Sequence, residues 1–312
     1  MSMPDSVPSA VALLPCSEIR ARIEKLLSER FTGLAQAAFV PQMDMTLLIH
    51  DGVAKQVYFE DAFSLQCYPG QNWKDELAKY SIGGFFIKPM PAQVLLFQKI
   101  VIEQRLRSTP IERKTTELME LISSYEKREK AVVLQVIWKN AQAFVFVPGS
   151  GISSQRVIFY TTGSIEEGRP GLARINTWGE PNCSVYTYDC DLGNAASIEL
   201  QLSMMFEWLC NYMLTQYGYL TGNVLVRSIV RNLIIFAAAN ELNIREMDCV
   251  LTDLMTFQSV DEAADAYRKL LNSVRHQMRT VIGSNLLASI EKQALNSLSG
   301  VYQELARNYQ LL

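Results

Sequence analysis

Val57-Tyr-Phe-Glu-Asp-Ala-Phe-Ser-Leu65 and Val157-Ile-Phe-Tyr-Thr-Thr-Gly-Ser-Ile165 stand one hundred residues apart, position for position. Valine, phenylalanine and serine recur identically, and Leu65 answers Ile165. Pro69-Gly70 then meets Pro170-Gly171 one residue late. Self-similarity at a fixed period predicts repeated structural units and is read before any single element.

The surroundings of the two stretches agree. Met45 to Ile49 alternates ahead of Asp51-Gly52, and Ala143 to Val147 alternates ahead of Pro148-Gly149. Alternation broken by such a dipeptide reads as strand, turn, strand. Downstream, Gly84-Phe-Phe-Ile-Lys88 lies opposite Ser184-Val-Tyr-Thr-Tyr188, again strand-like. A helix precedes each sheet: Glu18 to Arg30 aligns Ile19, Ile23, Leu26 and Leu27, and Thr116 to Glu129 aligns Leu118, Leu121, Ile122 and Tyr125. Another helix follows each sheet, Ala92 to Leu106 and Ala195 to Thr215. Between sheet and final strand each copy carries a short polar or irregular segment with a tryptophan, Trp73 or Trp178.

From Thr221 onward the pattern is helical. Gly222 to Asn240 stripes Leu225, Ile229, Leu233 and Phe236. Asn243 to Phe257 is irregular with strand character. Ser259-Val-Asp-Glu262 is a capping box opening a helix to about Ile282, ended by Gly283. Ser284 caps a last helix to about Tyr309. The expected fold is α+β. Two tandem copies of a small antiparallel-sheet-plus-helices module precede a helical C-terminal domain. The expected boundaries are a flexible N-terminus over 1–17, modules over 18–106 and 116–216, a charged linker over 107–115 containing Pro110, and a helical domain over 217–312.

Composition bounds the function. Of 312 residues, 49 % are apolar and 20 % charged, which supports a buried core. A net charge of -3 gives no general basic field for nucleic acid or an anionic membrane. No run of about 20 uncharged apolar residues occurs, so no membrane span is expected. Ala10 to Cys16 lacks the preceding basic residues and the apolar length of a signal peptide. The six cysteines form no CxxC pair and read as reduced, mostly buried thiols of a cytoplasmic protein.

Residues for chemistry are sparse. There are two histidines, His50 at a turn and His276 on a helix beside Arg275 and Arg279. Neither sits in a pattern that supplies a nucleophile with a base. Cys183 and Cys190 lack a nearby histidine for zinc. The glycine-rich loop 148–154 lacks the lysine of a phosphate-binding loop and reads as a hairpin connection. No catalytic residue, cofactor or metal site is expected.

The module resembles the PATAN/DUF4388 family of bacterial signalling proteins, found at the N-terminus of cyanobacterial PatA-type response regulators. Leu27-Ser-Glu-Arg-Phe-Thr-Gly33 is similar to that family's helix end and first strand. Leu47-Leu-Ile-His-Asp-Gly52 and Val57-Tyr-Phe-Glu-Asp61 are similar to its hairpin, with Ala62 where the family prefers glycine. The resemblance implies a signalling adaptor that docks on protein partners, and it brings no catalytic residues.

Surface action is therefore the leading expectation. Tyr58, Phe63, Phe85 and Phe86 are the aromatic contact candidates, and Arg227, Arg231, Arg275 and Arg279 the basic ones. A protein partner is expected, with a second copy of the chain as another candidate. The alternatives are a sensor of an apolar small molecule, lined by methionines and phenylalanines between the modules, and an enzyme with an unrecognised site.

Overall fold

A computed structural model describes residues 13–40, 42–69, 73–104, 108–128, 130–149, 155–162 and 164–311. The chain divides into two compact units at Leu95/Leu96. The loop 148–154 lies largely outside the described residues, as do Arg105, Arg107 and Gly163.

The first unit contains β1 (Leu13–Pro15), α1 (Cys16–Ser28), β2 (Gly33–Phe39), β3 (Met43–His50), β4 (Val53–Glu60), β5 (Leu65–Pro69), α2 (Trp73–Leu77) and β6 (Ile82–Pro89). It also holds the start of α3 (Ala92–Gln104). The strands form one antiparallel sheet in the order β1-β6-β2-β3-β4-β5. Ile19, Ile23 and Leu26 of α1 pack with Ala35, Met45, Leu47, Val57, Phe59 and Trp73 into its core. The β3–β4 turn needs positive φ at two residues, and Asp51 (51°) and Gly52 (76°) supply it. Gly52 also passes so close to α1 that an added Cβ would lie 2.3 Å from the Leu27 carbonyl oxygen.

The second unit opens with the end of α3. It continues through β7 (Ile111–Lys114), a 3-10 turn over Thr115–Glu117, α4 (Leu118–Glu126), β8 (Val132–Ile137), β9 (Ala141–Val147) and β10 (Arg156–Thr161). Next come β11 (Ser164–Glu167), α5 (Gly168–Thr177), β12 (Asn182–Asp189) and α6 (Ala195–Thr221). Its six-stranded sheet runs β7-β12-β8-β9-β10-β11, the same order as the first sheet, strand for strand. The register repeats too. Val57 faces Leu47, which faces Ala35, which faces Ile87. Val157 faces Val145, which faces Leu134, which faces Thr187. The core of this sheet joins Leu118 and Ile122 of α4 to Leu134, Val145, Val157 and Phe159.

Past α6 come α7 (Asn223–Ala239), the hairpin β13 (Ile244–Met247) and β14 (Val250–Asp253), α8 (Val260–Ser297) and α9 (Gly300–Asn308). Over 243–257 the irregular reading gives way to this regular antiparallel pair. Ser259 caps α8 by accepting the Glu262 N–H at 3.1 Å, and the Glu262 carboxylate accepts the Gln258 N–H at 2.8 Å. α8 breaks at Gly283 (φ 78°, ψ 167°). The segment after the break ends at Ser297, short of Tyr309, and α9 takes up the remainder.

Other corrections fall at the module edges. Leu13–Pro15 lies in the stretch assigned to a flexible N-terminus, yet it pairs with β6. Ile111–Lys114 lies in the stretch assigned to a linker, yet it pairs with β12 as an edge strand. Charge marks it as an edge: Glu112, Arg113 and Lys114 are exposed and discourage further pairing. The irregular tryptophan segments are helical, α2 beginning at Trp73 and α5 ending just before Trp178.

Candidate functional site

Along α6, Glu199, Ser203, Glu207 and Asn211 recur every fourth residue and so share one helix face. That face meets the extended chain from β14 to Phe257. Asn211 accepts the Leu251 N–H at 2.8 Å and donates to the Leu251 carbonyl at 3.0 Å. Glu207 accepts the Asp253 N–H at 2.6 Å, and Glu199 accepts the Phe257 N–H at 2.9 Å. The Asp253 carboxylate accepts the Met255 N–H at 2.8 Å. The N–H groups of residues 251, 253, 255 and 257, which a neighbouring strand would otherwise bond, are all met by side chains. A buried N–H left without a partner costs about 1–3 kcal/mol, so this ladder has a physical reason to exist.

Cations complete the clasp. Lys99 of α3 pairs with Glu199 and also donates to the Phe257 carbonyl at 3.3 Å; both side chains are buried. Arg156 of β10 lies 3.5 Å from the Glu207 carboxylate and donates to the Asp253 carbonyl at 2.9 Å. Ser203 and Tyr267 donate to the Asp253 carboxylate at 2.6 and 2.5 Å. Burial pushes the Glu207 carboxyl up to about 7, against the pull of Arg156. Burial likewise raises the carboxyls of Asp253 and Glu199, with Ser203 and Tyr267 opposing it at the first and Lys99 at the second. Shifts of this kind are common at catalytic sites. Here the carboxylate oxygens are engaged with backbone and cations, so the arrangement holds chain in place. Sequence reading missed it because each polar residue of α6 was seen alone in an apolar helix. The four-residue spacing is the signal that could have found it.

The predicted contact residues scatter. Tyr58 is a correction: it is 1 % exposed and donates to Gln56, because this strand is covered on both faces. Phe85 and Phe86 are half-buried. Phe63 is 94 % exposed, at a turn where the Asp61 carboxylate accepts the Phe63 and Ser64 N–H groups at 2.7 Å each. Those bonds hold the Asp61 carboxyl below its usual range. Arg275 is a second correction. It is spent internally, donating to Glu291 at 2.5 Å, to Asn272 at 3.0 Å and to the Leu311 carbonyl at 2.5 Å. Arg227, Arg231 and Arg279 are exposed, and His276 is solvated. His50, read as a turn residue, is buried at the end of β3.

Three of the six remaining contact candidates, Arg227, Arg231 and Arg279, lie toward one end of the helical region. Asn211, Glu207 and Glu199 of α6 meet Leu251, Asp253 and Phe257 in turn, so the chain enters α8 beside the start of α6, and Phe206 of α6 stacks on Tyr267 of α8 at 4.9 Å; the two helices run in the same direction. α7 returns from the Gly222 turn, and its Asn232 donates to Gln277 of α8 at 2.9 Å. The Gly222 turn and the Gly283 break therefore share an end. Tyr219 (81 % exposed), Leu220, Val224 (81 %), Val281 and Leu286 stand out there. Residues 208–240 and 266–290 contain no aspartate or glutamate.

A surface cleft of about 320 Å³ lies by Trp178, lined by Lys114, Thr115, Glu180 and Asn182. Its lining includes no methionine or phenylalanine. The Glu180 carboxylate is occupied by the N–H groups of Lys139 (2.8 Å) and Asn140 (3.3 Å). Among the described residues no cluster of His, Cys, Asp or Glu is arranged to hold a metal, and no helix is long and apolar enough to cross a membrane. Burial pushes the Cys183 thiol up to about 11 and the Cys190 thiol to about 12, unlike reactive thiolates. No family model, curated protein or solved structure matches the chain.

Proposed function

We propose that this chain is a non-enzymatic regulatory adaptor of the cytoplasm, working through contact with a protein partner at the α6–α7–α8 end. One observation carries the reading: that end presents exposed valine, leucine and tyrosine beside exposed arginines, with no acidic side chain in either segment that builds it. Exposed apolar groups flanked by arginine are the composition of an interface rather than of an ordinary solvated surface. The twin sheets serve as rigid carriers, and the clasp on α6 fixes the hairpin and α8 against the helix that leads to the docking end. The PATAN/DUF4388 resemblance points the same way, toward signalling by docking.

Photo-crosslinking in cells that make the chain naturally tests this. A photoreactive residue at Tyr219 or Val224 is expected to yield one discrete protein adduct, and the same residue at Lys269 none. Equal labelling at all three positions, or no adduct anywhere, removes the reading.

A further inference from the structure

We infer that the partner presents an acidic amphipathic helix, which lies along the outer face of α7. This rests on the adaptor reading and names the chemistry of the partner. Val224, Arg227, Arg231 and Ile235 are spaced three and four apart, so they share one face, and all four are exposed. That face alternates an apolar group, two guanidinium groups and an apolar group. Its complement is a helix with leucine-like residues at i and about i+11 and carboxylates between them. Arg279 is exposed on the neighbouring helix α8.

The cations on this face are arginines, whose planar fork holds a carboxylate through two parallel bonds. Charge complementarity is one-sided: no acid lies between Glu207 and Glu241, or between Asp265 and Glu291, so neither α7 nor the neighbouring run of α8 carries a carboxylate of its own to compete for those guanidinium groups. An anionic bilayer is the other surface that a cationic, apolar face could meet. Electrostatic membrane anchoring draws on clusters of roughly 4–8 basic residues. This face of α7 offers Arg227 and Arg231 on a chain of net charge -3, and lacks tryptophan. The observations favour the protein helix.

The test uses the full chain with three probes. The first is a labelled peptide about 18 residues long, with leucine on one helical face and glutamate flanking it, long enough to be helical when docked. The second is its twin with lysine for glutamate. The third is a vesicle rich in phosphatidylserine. The acidic peptide is expected to bind and become helical, the lysine twin to stay free, and R227E/R231E to weaken acidic-peptide binding by about tenfold or more. The same double variant is expected to gain affinity for the lysine twin, an exchange that mere loss of structure does not produce. Equal binding of both peptides, binding untouched by R227E/R231E, no peptide binding at all, or binding to vesicles alone overturns the inference. If photo-crosslinking at Val224 still gives a discrete adduct, the adaptor reading survives that failure; if it gives none, both fall.

Discussion

Asp253 donates its backbone N–H to the Glu207 carboxylate at 2.6 Å, so a helix side chain stands where the next strand of a sheet would be. Together with Asn211, Ser203 and Glu199 it converts one face of α6 into a hydrogen-bonding edge. Specific losses follow from that arrangement.

Asn211 makes two bonds to one residue, Leu251. Asn211→Ala leaves both backbone groups short of a partner. The expected cost is about 1–3 kcal/mol in denaturant unfolding, with faster amide exchange at Leu251. Unchanged exchange there would mean that water or another group replaces the amide.

The raised carboxyl of Glu207 gives a pH signature. Its folded value, about 7, lies above the ordinary 4.5. Its contribution to stability is thus full below about 4.5 and lost as pH rises to about 7, at no more than about 1.4 kcal/mol per pH unit. Asp253 and Glu199 carry the same sign. Arg156, Asp253 and Glu167 face Glu207 and set its charge balance. His50 in the other unit is lowered by burial and works in the opposite direction as pH falls. The measurement is therefore the difference between wild type and Glu207→Gln. Between about pH 5 and 7 the wild type should lose stability relative to the variant, and parallel curves would show that Glu207 does not titrate in this range.

Lys99→Met strands the buried Glu199 carboxylate and should cost about 3–5 kcal/mol. Adding Glu199→Gln keeps an acceptor for the Phe257 N–H while removing the charge. The double variant should be more stable than Lys99→Met alone. If the two substitutions simply add, the pair is not coupled and the clasp is held by its other bonds.

Gly52 and Gly283 both have positive φ, yet they differ in space. An added Cβ at Gly52 meets backbone at 2.3 Å, while at Gly283 it meets nothing within 4 Å. Gly283→Ala should cost about 1–3 kcal/mol, the strain of a positive-φ, extended-ψ backbone that glycine alone adopts readily. Gly52→Ala should cost clearly more, read as a larger fall in Tm. Equal falls would show that α1 moves aside without resistance.

Much of the architecture was legible because repetition reinforced weak local signals. The Val57 and Val157 strands occupy the same place in their sheets, and Gly84–Lys88 pairs in the register of Ser184–Tyr188. The edge strands were not legible. Leu13–Pro15 is three residues long and ends in proline, and Ile111–Lys114 is mostly charge, so neither alternates for long enough. α2 and α5 were hidden by tryptophan, glycine and proline, which read as loop. Tyr58 was misplaced because alternation assigns it to an outer face, and that face is also covered. Of the docking end, Arg227, Arg231 and Arg279 were visible as charge, while the exposure of Val224 and Ile235 depended on which side of α7 found a neighbour. The clasp joins residues far apart in sequence, Lys99 to Glu199 and Glu207 to Asp253, and no local pattern carries such pairings.

The edge strand Ile111–Lys114 also decides where this polypeptide can be divided. A fragment begun at Thr116, where the second copy's first helix starts by periodicity, would carry away the strand that shields Asn182–Val185 and leave a raw sheet margin open to other chains. A fragment begun at Ser108 keeps that strand, and lacks the Lys99 partner of Glu199. Cutting ahead of Ala92 retains both, so the natural seam of the second half lies before the helix that closes the first.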